Sequence, residues 1–259
     1  MRPALTERSS RVVAAAKLHR HVGRKRAGRF LAEGPNLVEA ALRRGMVREI
    51  FVTEQAAARF DALLAGVNVP VHFVTERGAK ALSDTVTPVG LVAVCEPRAV
   101  TLKEITDPRL VVVAVDISEP GNAGTLIRLG DAMGAAAVVL AGHSVDPYNA
   151  KCLRASTGSV FTVPAVVAQD TGGAVTALRE SGLRILAATV DGEVSLDDAD
   201  LSAPTAWLFG SEAHGLAPDV AAMADARVSI PMPGAAESLN VAAAAAICLY
   251  QSARAQRKP

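Results

Sequence analysis

The chain has 259 residues, half of them hydrophobic and a fifth charged, enough to bury a substantial core in one large domain or two small ones. Aromatic side chains make up only 3%, which argues against base stacking on an aromatic-rich sheet. The three cysteines, Cys95, Cys152 and Cys248, show no metal-ligand spacing, so no metal site or disulfide frame is expected and a reducing compartment is.

The formal net charge of +1 conceals an asymmetry. Residues 1–29 carry Arg2, Arg8, Arg11, Lys17, Arg20, Arg24, Lys25, Arg26 and Arg29 against a single acid, Glu7, so the remainder is net acidic. Such a segment suits a polyanion, because Lys and Arg gain affinity by displacing counterions from phosphates. A solvated tail is the plainer alternative. Arg20, Arg24, Lys25, Arg26 and Arg29 are the candidate nucleic-acid contacts. "VVAAA" in this segment is too short for a signal-peptide core.

Residues 30–97 read as a small α/β unit. "RFLAEG" is a strand, and "PNLVEAALRRG" a helix with proline at its start and Gly45 at its stop. "REIFVTE" is a strand, "QAAARFDALLAG" a helix, and "VPVHFVTE" and "GLVAVCEP" are strands. Pro97, Pro108 and mixed charge mark residues 98–109 as a linker.

Residues 110–259 form a longer α/β unit. Its strand candidates are 110–116, 135–142, 160–166, 184–190, 206–211 and 227–232. Runs such as "LVVVAV" lack period-2 alternation, as strands buried on both faces of a parallel sheet do. The longest uncharged run, Ser238 to Ala253, has 16 residues, fewer than the roughly 20 apolar residues of a membrane span. No membrane segment is expected, and a cytoplasmic location is.

Ligands of open parallel sheets bind beyond the carboxyl ends of the strands. Three loops stand out there: "DISEPGNAGTLIRLGDAMG", "GSEAHGLAP" and "PGAAESLN". Each joins glycine, which lets backbone approach a ligand, to a few polar side chains. Plainer roles exist for each. Asn122 suits a cap for a helix starting near Thr125, Arg128 a pair with Asp131, Glu212 a cap for the helix after Gly215, and Ser238 an N-cap. G-x-G-x-x-G after a first strand, G-x-x-x-x-G-K-[ST] and G-x-S-x-G are all absent, so a dinucleotide fold, a P-loop NTPase and a nucleophile-elbow hydrolase are unsupported.

"NAGTLIR" (122–128), "LFGSEAHGL" (208–216) and "IPMPGAAESLNVAAAAA" (230–246) resemble, in order and strand context, the three signature motifs of the SpoU (TrmH-like) RNA methyltransferases of the SPOUT class. "GRFLAEGPNLVEAAL" (28–42) resembles the start of the L30e-like substrate-binding domain that precedes them. The resemblance implies an α/β fold: a small L30e-like domain, then a SPOUT domain with a parallel sheet and a C-terminal trefoil knot. It also implies a homodimer through the knotted domain.

The implied activity is methyl transfer from S-adenosylmethionine to a ribose 2′-hydroxyl of structured RNA. Ribosomal RNA of the large subunit (23S) is favoured over tRNA, and a non-catalytic RNA-binding relative acting in ribosome assembly is the rival from another class. A housekeeping role and an antibiotic-resistance role both fit. By position the resemblance assigns Asn122, Arg128, Glu212, Ser238 and Asn240 to catalysis. It assigns Thr189, Gly210, Ile230, Met232 and Leu239 to the cofactor. A guanidinium is a poor general base, so Arg128 reads either as a base with a greatly lowered pKa or as a clamp on phosphate or alkoxide.

Overall fold

In a computed structural model, residues 3–257 are described; Arg2 of the basic segment lies outside them. Contacts divide the chain into two compact units, Met1–Arg98 with Tyr148–Phe161, and Ala99–Pro147 with Thr162–Pro259. In chain order the elements are α1 (Ser10–Ala16), α2 (His21–Ala27), β1 (Phe30–Glu33), α3 (Pro35–Arg43), β2 (Val47–Val52), α4 (Glu54–Arg59), α5 (Asp61–Leu64), β3 (Val71–Phe73), α6 (Glu76–Leu82) and β4 (Leu91–Cys95). There follow β5 (Leu110–Val115), α7 (Pro120–Ala132), β6 (Ala137–Ala141), α8 (Ala150–Ser156), β7 (Ala165–Ala168), α9 (Thr171–Glu180), β8 (Arg184–Ala188), β9 (Val194–Ser195), β10 (Thr205–Phe209), α10 (Pro218–Ala221), β11 (Ala226–Ser229) and α11 (Val241–Gln256).

The first unit has a four-stranded sheet in the order β1-β4-β2-β3. The basic segment is built into it. Val12, Ala15 and Leu18 are buried and join Leu31, Phe51, Val92 and Val94 in one core cluster. Arg24 is buried as well, and its guanidinium donates to the carbonyls of Leu18 (3.1 Å) and His19 (2.9 Å). This corrects the sequence reading: Arg24 ties the turn before α2 to the fold and is absent from the surface a phosphate would meet. Arg20, Lys25, Arg26 and Arg29 are exposed.

Two further expectations change. The predicted helix over "QAAARFDALLAG" is two, α4 and α5, parted at Phe60, because the Asp61 carboxylate accepts from the Ala62 N–H at 2.7 Å and starts a new turn. Residues 148–161, placed by sequence in the second domain, cluster with the first. There Phe30 stacks on Tyr148 and Phe161, with ring centroids 4.4 and 6.0 Å apart. The strand expected at 160–166 begins only after Pro164, and Ser159–Phe161 is a 3-10 turn.

The second unit is a seven-stranded sheet, β7-β6-β5-β10-β8-β11-β9, in which every pairing is parallel. Every residue of β5, β6 and β10 is buried, which is why these strands read as unbroken apolar runs. The sheet edge ends in the two-residue β9, too short to leave a sequence pattern. Among the described residues no helix is long and apolar enough to cross a membrane.

One buried polar contact ties α11 to the sheet. The Trp207 indole N–H donates to Ser252 Oγ at 2.8 Å, and both residues are fully buried. Trp207 is the only tryptophan in the chain, so its fluorescence reports this unit alone. Ser252→Ala strands the indole N–H, and urea unfolding followed by that fluorescence is expected to show a loss of about 1–3 kcal/mol.

Candidate active site

Neighbouring strands β5, β10, β8 and β11 end at one edge of the parallel sheet, so the four loops that follow them converge. The loop after β10 turns back sharply. The Gly215 N–H donates to the Ser211 carbonyl at 2.8 Å, and a Cβ on Gly210 would lie 2.1 Å from the Gly215 carbonyl carbon. Only glycine allows the two backbones so close. Beyond β11, among the described residues, the segment 230–239 enters no backbone–backbone hydrogen bond, so its amide groups are open to solvent or a ligand.

These loops enclose a cavity of about 550 Å3, within the roughly 300–1,000 Å3 of small-molecule sites. Thr189, Gly210, Ile230, Met232 and Leu239, the five expected cofactor residues, all line it. The Thr189 Oγ1 atom is buried without a hydrogen-bond partner, an arrangement that costs about 1–3 kcal/mol until a ligand supplies one. A largely apolar wall, one orphaned hydroxyl and a stretch of unpaired backbone suit an adenosine-bearing cofactor whose polar edges are met by main chain. The residues present therefore fit S-adenosylmethionine.

Asn240 organises the chemistry beside this cavity. It is the N-cap of α11, its Oδ1 accepting from the N–H groups of Ala242 (2.9 Å) and Ala243 (3.4 Å). That duty fixes the orientation of the amide, since only its oxygen can accept. The Nδ2 group must then face the other way, where it donates to Glu212 Oε1 and to Asn122 Oδ1, the latter at 3.3 Å. Asn122 in turn has its oxygen engaged and its own NH2 directed elsewhere. Three of the five expected catalytic residues are thus linked through one amide.

The plainer roles are not realised. Helix α7 starts at Pro120 and is capped by Glu119, not by Asn122. Ala217 precedes α10 with no side-chain cap, and Glu212 points to Asn240 instead. Ser238 is exposed at the cavity wall, two residues before the cap. Arg128 is exposed on α7 and makes no hydrogen bond or ion pair among the described residues, Asp131 included. The structure does not join it to the Asn240 cluster.

Sequence reasoning reached the loop after β8 only at Thr189. Asp191, with Arg227 from β11 and His214, also lines the cavity. The "DG" turn after an apolar strand was the available signal, and Arg227 was hidden within an apparently ordinary strand. The backbone N–H groups of Arg227 and of Glu193 itself, followed by the Arg227 guanidinium, hold the Glu193 carboxyl below its ordinary value. A lowered carboxyl keeps its contact above the ordinary value of about 4.3 and loses it only as pH falls through the lowered one. Burial pushes the Cys95 and Cys248 thiols up to about 12, so neither serves as a nucleophile.

Residues 109–250 match the SpoU rRNA Methylase family and residues 9–93 the MRM3-like substrate binding domain. The chain is 34% identical over 235 residues to the 23S rRNA (guanosine(2553)-2′-O)-methyltransferase RlmP of Bacillus subtilis strain 168, covering 90% of this chain and 92% of that protein. Among solved structures, the SpoU methyltransferase AviRb from Streptomyces viridochromogenes in complex with AdoMet is similar with a TM-score of 0.86 and 34% identity, over 95% of this chain and 98% of that one. An AdoMet-bound rRNA methyltransferase from Sinorhizobium meliloti is similar with a TM-score of 0.86 and 30% identity, over 97% of both chains. The protein belongs to the SpoU rRNA methylase family.

The Asn240 cluster separates capping from chemistry. Asn240→Asp keeps the cap oxygen but turns the shared donor into a carboxylate facing Glu212. Methyl transfer is expected to fall by about 10²-fold or more, as when a preorganised donor is removed, with thermal stability close to that of the native chain. Asn240→Ala is expected to lose both, the cap accounting for about 1 kcal/mol, as read by assay and by denaturant titration.

Proposed function

We propose that the protein methylates a ribose 2′-hydroxyl of 23S ribosomal RNA, using S-adenosylmethionine, and works as a homodimer through its second unit. The observation that carries the reaction is the Asn122–Asn240–Glu212 linkage, whose Glu212 lines a cavity that fits this cofactor. When bound, the cofactor supplies an electrophilic methyl group on a sulfonium. A ribose hydroxyl is a weak nucleophile until its proton is polarised or removed, so the protein's share is alignment and charge. The Asn122 NH2, left free by the bond its oxygen makes, is a donor for the RNA, and Asn240 holds it and Glu212 in register.

Arg128 acts as a cation, not as a base. Its guanidinium is exposed, with no hydrogen bond or ion pair among the described residues, and a guanidinium is in general a poor base. It clamps the phosphate or the developing alkoxide while the proton leaves to water. Exposed Arg20, Lys25, Arg26 and Arg29 in the first unit supply further phosphate contacts. The 23S assignment follows the named activity of the B. subtilis relative, which spans nearly the whole chain.

The dimer is supported by α11. Ala243, Ile247 and Tyr250 lie at i, i+4 and i+7 and are exposed, with Ile247 38% and Tyr250 48% accessible. An apolar stripe at this spacing suits a helix-to-helix contact. Sedimentation of Ile247→Glu and Tyr250→Glu is expected to show monomers where the native chain sediments as a dimer.

The reaction is tested by mapping 2′-O-methylation in total RNA from cells with and without the gene. Loss of methylation at a position in 23S RNA is expected; loss confined to tRNA, or none, overturns the assignment. In the same assay with purified protein, Arg128→Lys is expected to stay within about tenfold of native turnover because it keeps the charge. Arg128→Ala is expected to lose about 10²–10³-fold, with cofactor affinity unchanged in both. A Lys variant as inactive as the Ala variant would restore the general-base role.

A further inference from the structure

One charged cluster outside the Asn240 linkage touches the cavity. Arg227 on β11 offers three donors to two carboxylates. Its backbone N–H reaches Glu193 Oε1 at 3.0 Å, its Nε reaches Glu193 Oε2 at 2.9 Å, and its Nη1 reaches Asp191 Oδ2 at 3.1 Å. The two acids flank Gly192, whose backbone lies flat on β11. A Cβ there would stand 2.5 Å from both the Val228 carbonyl carbon and the Ser229 nitrogen.

Two more contacts bind the same loop. The Thr189 N–H donates to the Val228 carbonyl at 3.0 Å, and Ser229 Oγ donates to the Gly192 carbonyl at 3.1 Å. The loop from 189 to 194 is therefore held to β11 along its length. Thr189, Val190 and Asp191 form one wall of the cavity, and Arg227 lines it as well.

Stability does not explain this arrangement. The side chains are 40% (Arg227), 70% (Asp191) and 52% (Glu193) exposed, and ion pairs so open to water contribute little to folding. Val190 is 68% exposed, so packing does not hold the loop either. What the contacts do fix is the position of a cavity wall that carries the orphaned Thr189 hydroxyl. A wall set in advance spares the ligand the cost of ordering it.

We propose that Arg227 is a positioning residue for the cofactor: by gripping Asp191 and Glu193 on either side of Gly192, it presets the wall formed by Thr189, Val190 and Asp191. This rests on the cavity being the S-adenosylmethionine site. A guanidinium suits the task because its planar fork spans two acceptors, which a lysine ammonium on a flexible stem does not.

Calorimetry with S-adenosylmethionine on the full-length native protein tests the site itself; no binding there removes the cofactor reading and not the loop geometry. Amide hydrogen exchange without cofactor then tests the positioning role. In Arg227→Gln and Glu193→Gln, amides of residues 190–194 are expected to exchange at least tenfold faster than in the native chain, and the difference is expected to shrink on saturation with cofactor. The dissociation constant is expected to rise about tenfold, or about 1.4 kcal/mol, with the kinetic loss falling on KM for the cofactor more than on kcat. Arg227→Lys is expected to rescue only part. Unchanged exchange with unchanged affinity overturns the proposal, as does a fall in kcat without a change in affinity. If Arg227→Gln fails to fold, Glu193→Gln, which keeps the shape of the side chain, decides.

Discussion

A sheet whose strands all run the same way has one edge made entirely of carboxyl ends. In the second unit this constraint places every chemistry-bearing loop. Strands β5, β10, β8 and β11 are neighbours in space although sequence separates them widely. The first turn of α7 with Asn122, the loop with Glu212, the loop with Thr189 and the segment leading to Asn240 therefore meet without any one connection being long. Helices α7 and α11 pack on these strands, and β5, β6 and β10 are buried over their whole length. Polar groups are pushed to the ends, where water and ligands reach them.

Within that edge a single side-chain amide does two jobs that reinforce each other. A cap needs an oxygen acceptor pointed at the first turn of α11, and the Asn240 oxygen meets that need. Once the oxygen is committed, the NH2 has no freedom to flip, so the donor presented to Glu212 and Asn122 is held by the stability of the helix itself. Aspartate would cap as well but, ionised, would offer no donor. The bare cap is thus replaceable and the pairing of cap with donor is not. A further economy lies in the neighbouring segment 230–239, which forgoes backbone pairing altogether. Its open amides and the unpartnered Thr189 hydroxyl are groups that folding alone leaves unsatisfied and that a polar ligand satisfies.

Local pattern was enough to read the central strands and the motif loops, because full burial writes an apolar run and a turn writes glycine. It was not enough where structure depends on distant partners. The two residues of β9 carry no periodicity. The return of residues 148–161 to the first unit rests on Phe30 stacking with Tyr148 and Phe161, contacts that no window of sequence contains. Arg227 read as the first residue of a strand, since its meaning lies in two acids more than thirty residues away. Likewise, charge counting grouped Arg24 with its exposed neighbours, although its donors are spent on the carbonyls of Leu18 and His19.

Three arginines show how the same guanidinium takes its function from the acceptors around it. Arg24 donates to main-chain carbonyls in a buried turn and becomes part of the scaffold. Arg227 finds two carboxylates at the rim of a cavity and fixes a loop, with its charge already balanced. Arg128 finds none among the described residues and stays in water with its charge uncompensated. Its five N–H donors are then free to meet a phosphate or an oxyanion that arrives with the RNA. The absence of a local partner is what fits Arg128 to the clamp proposed for it.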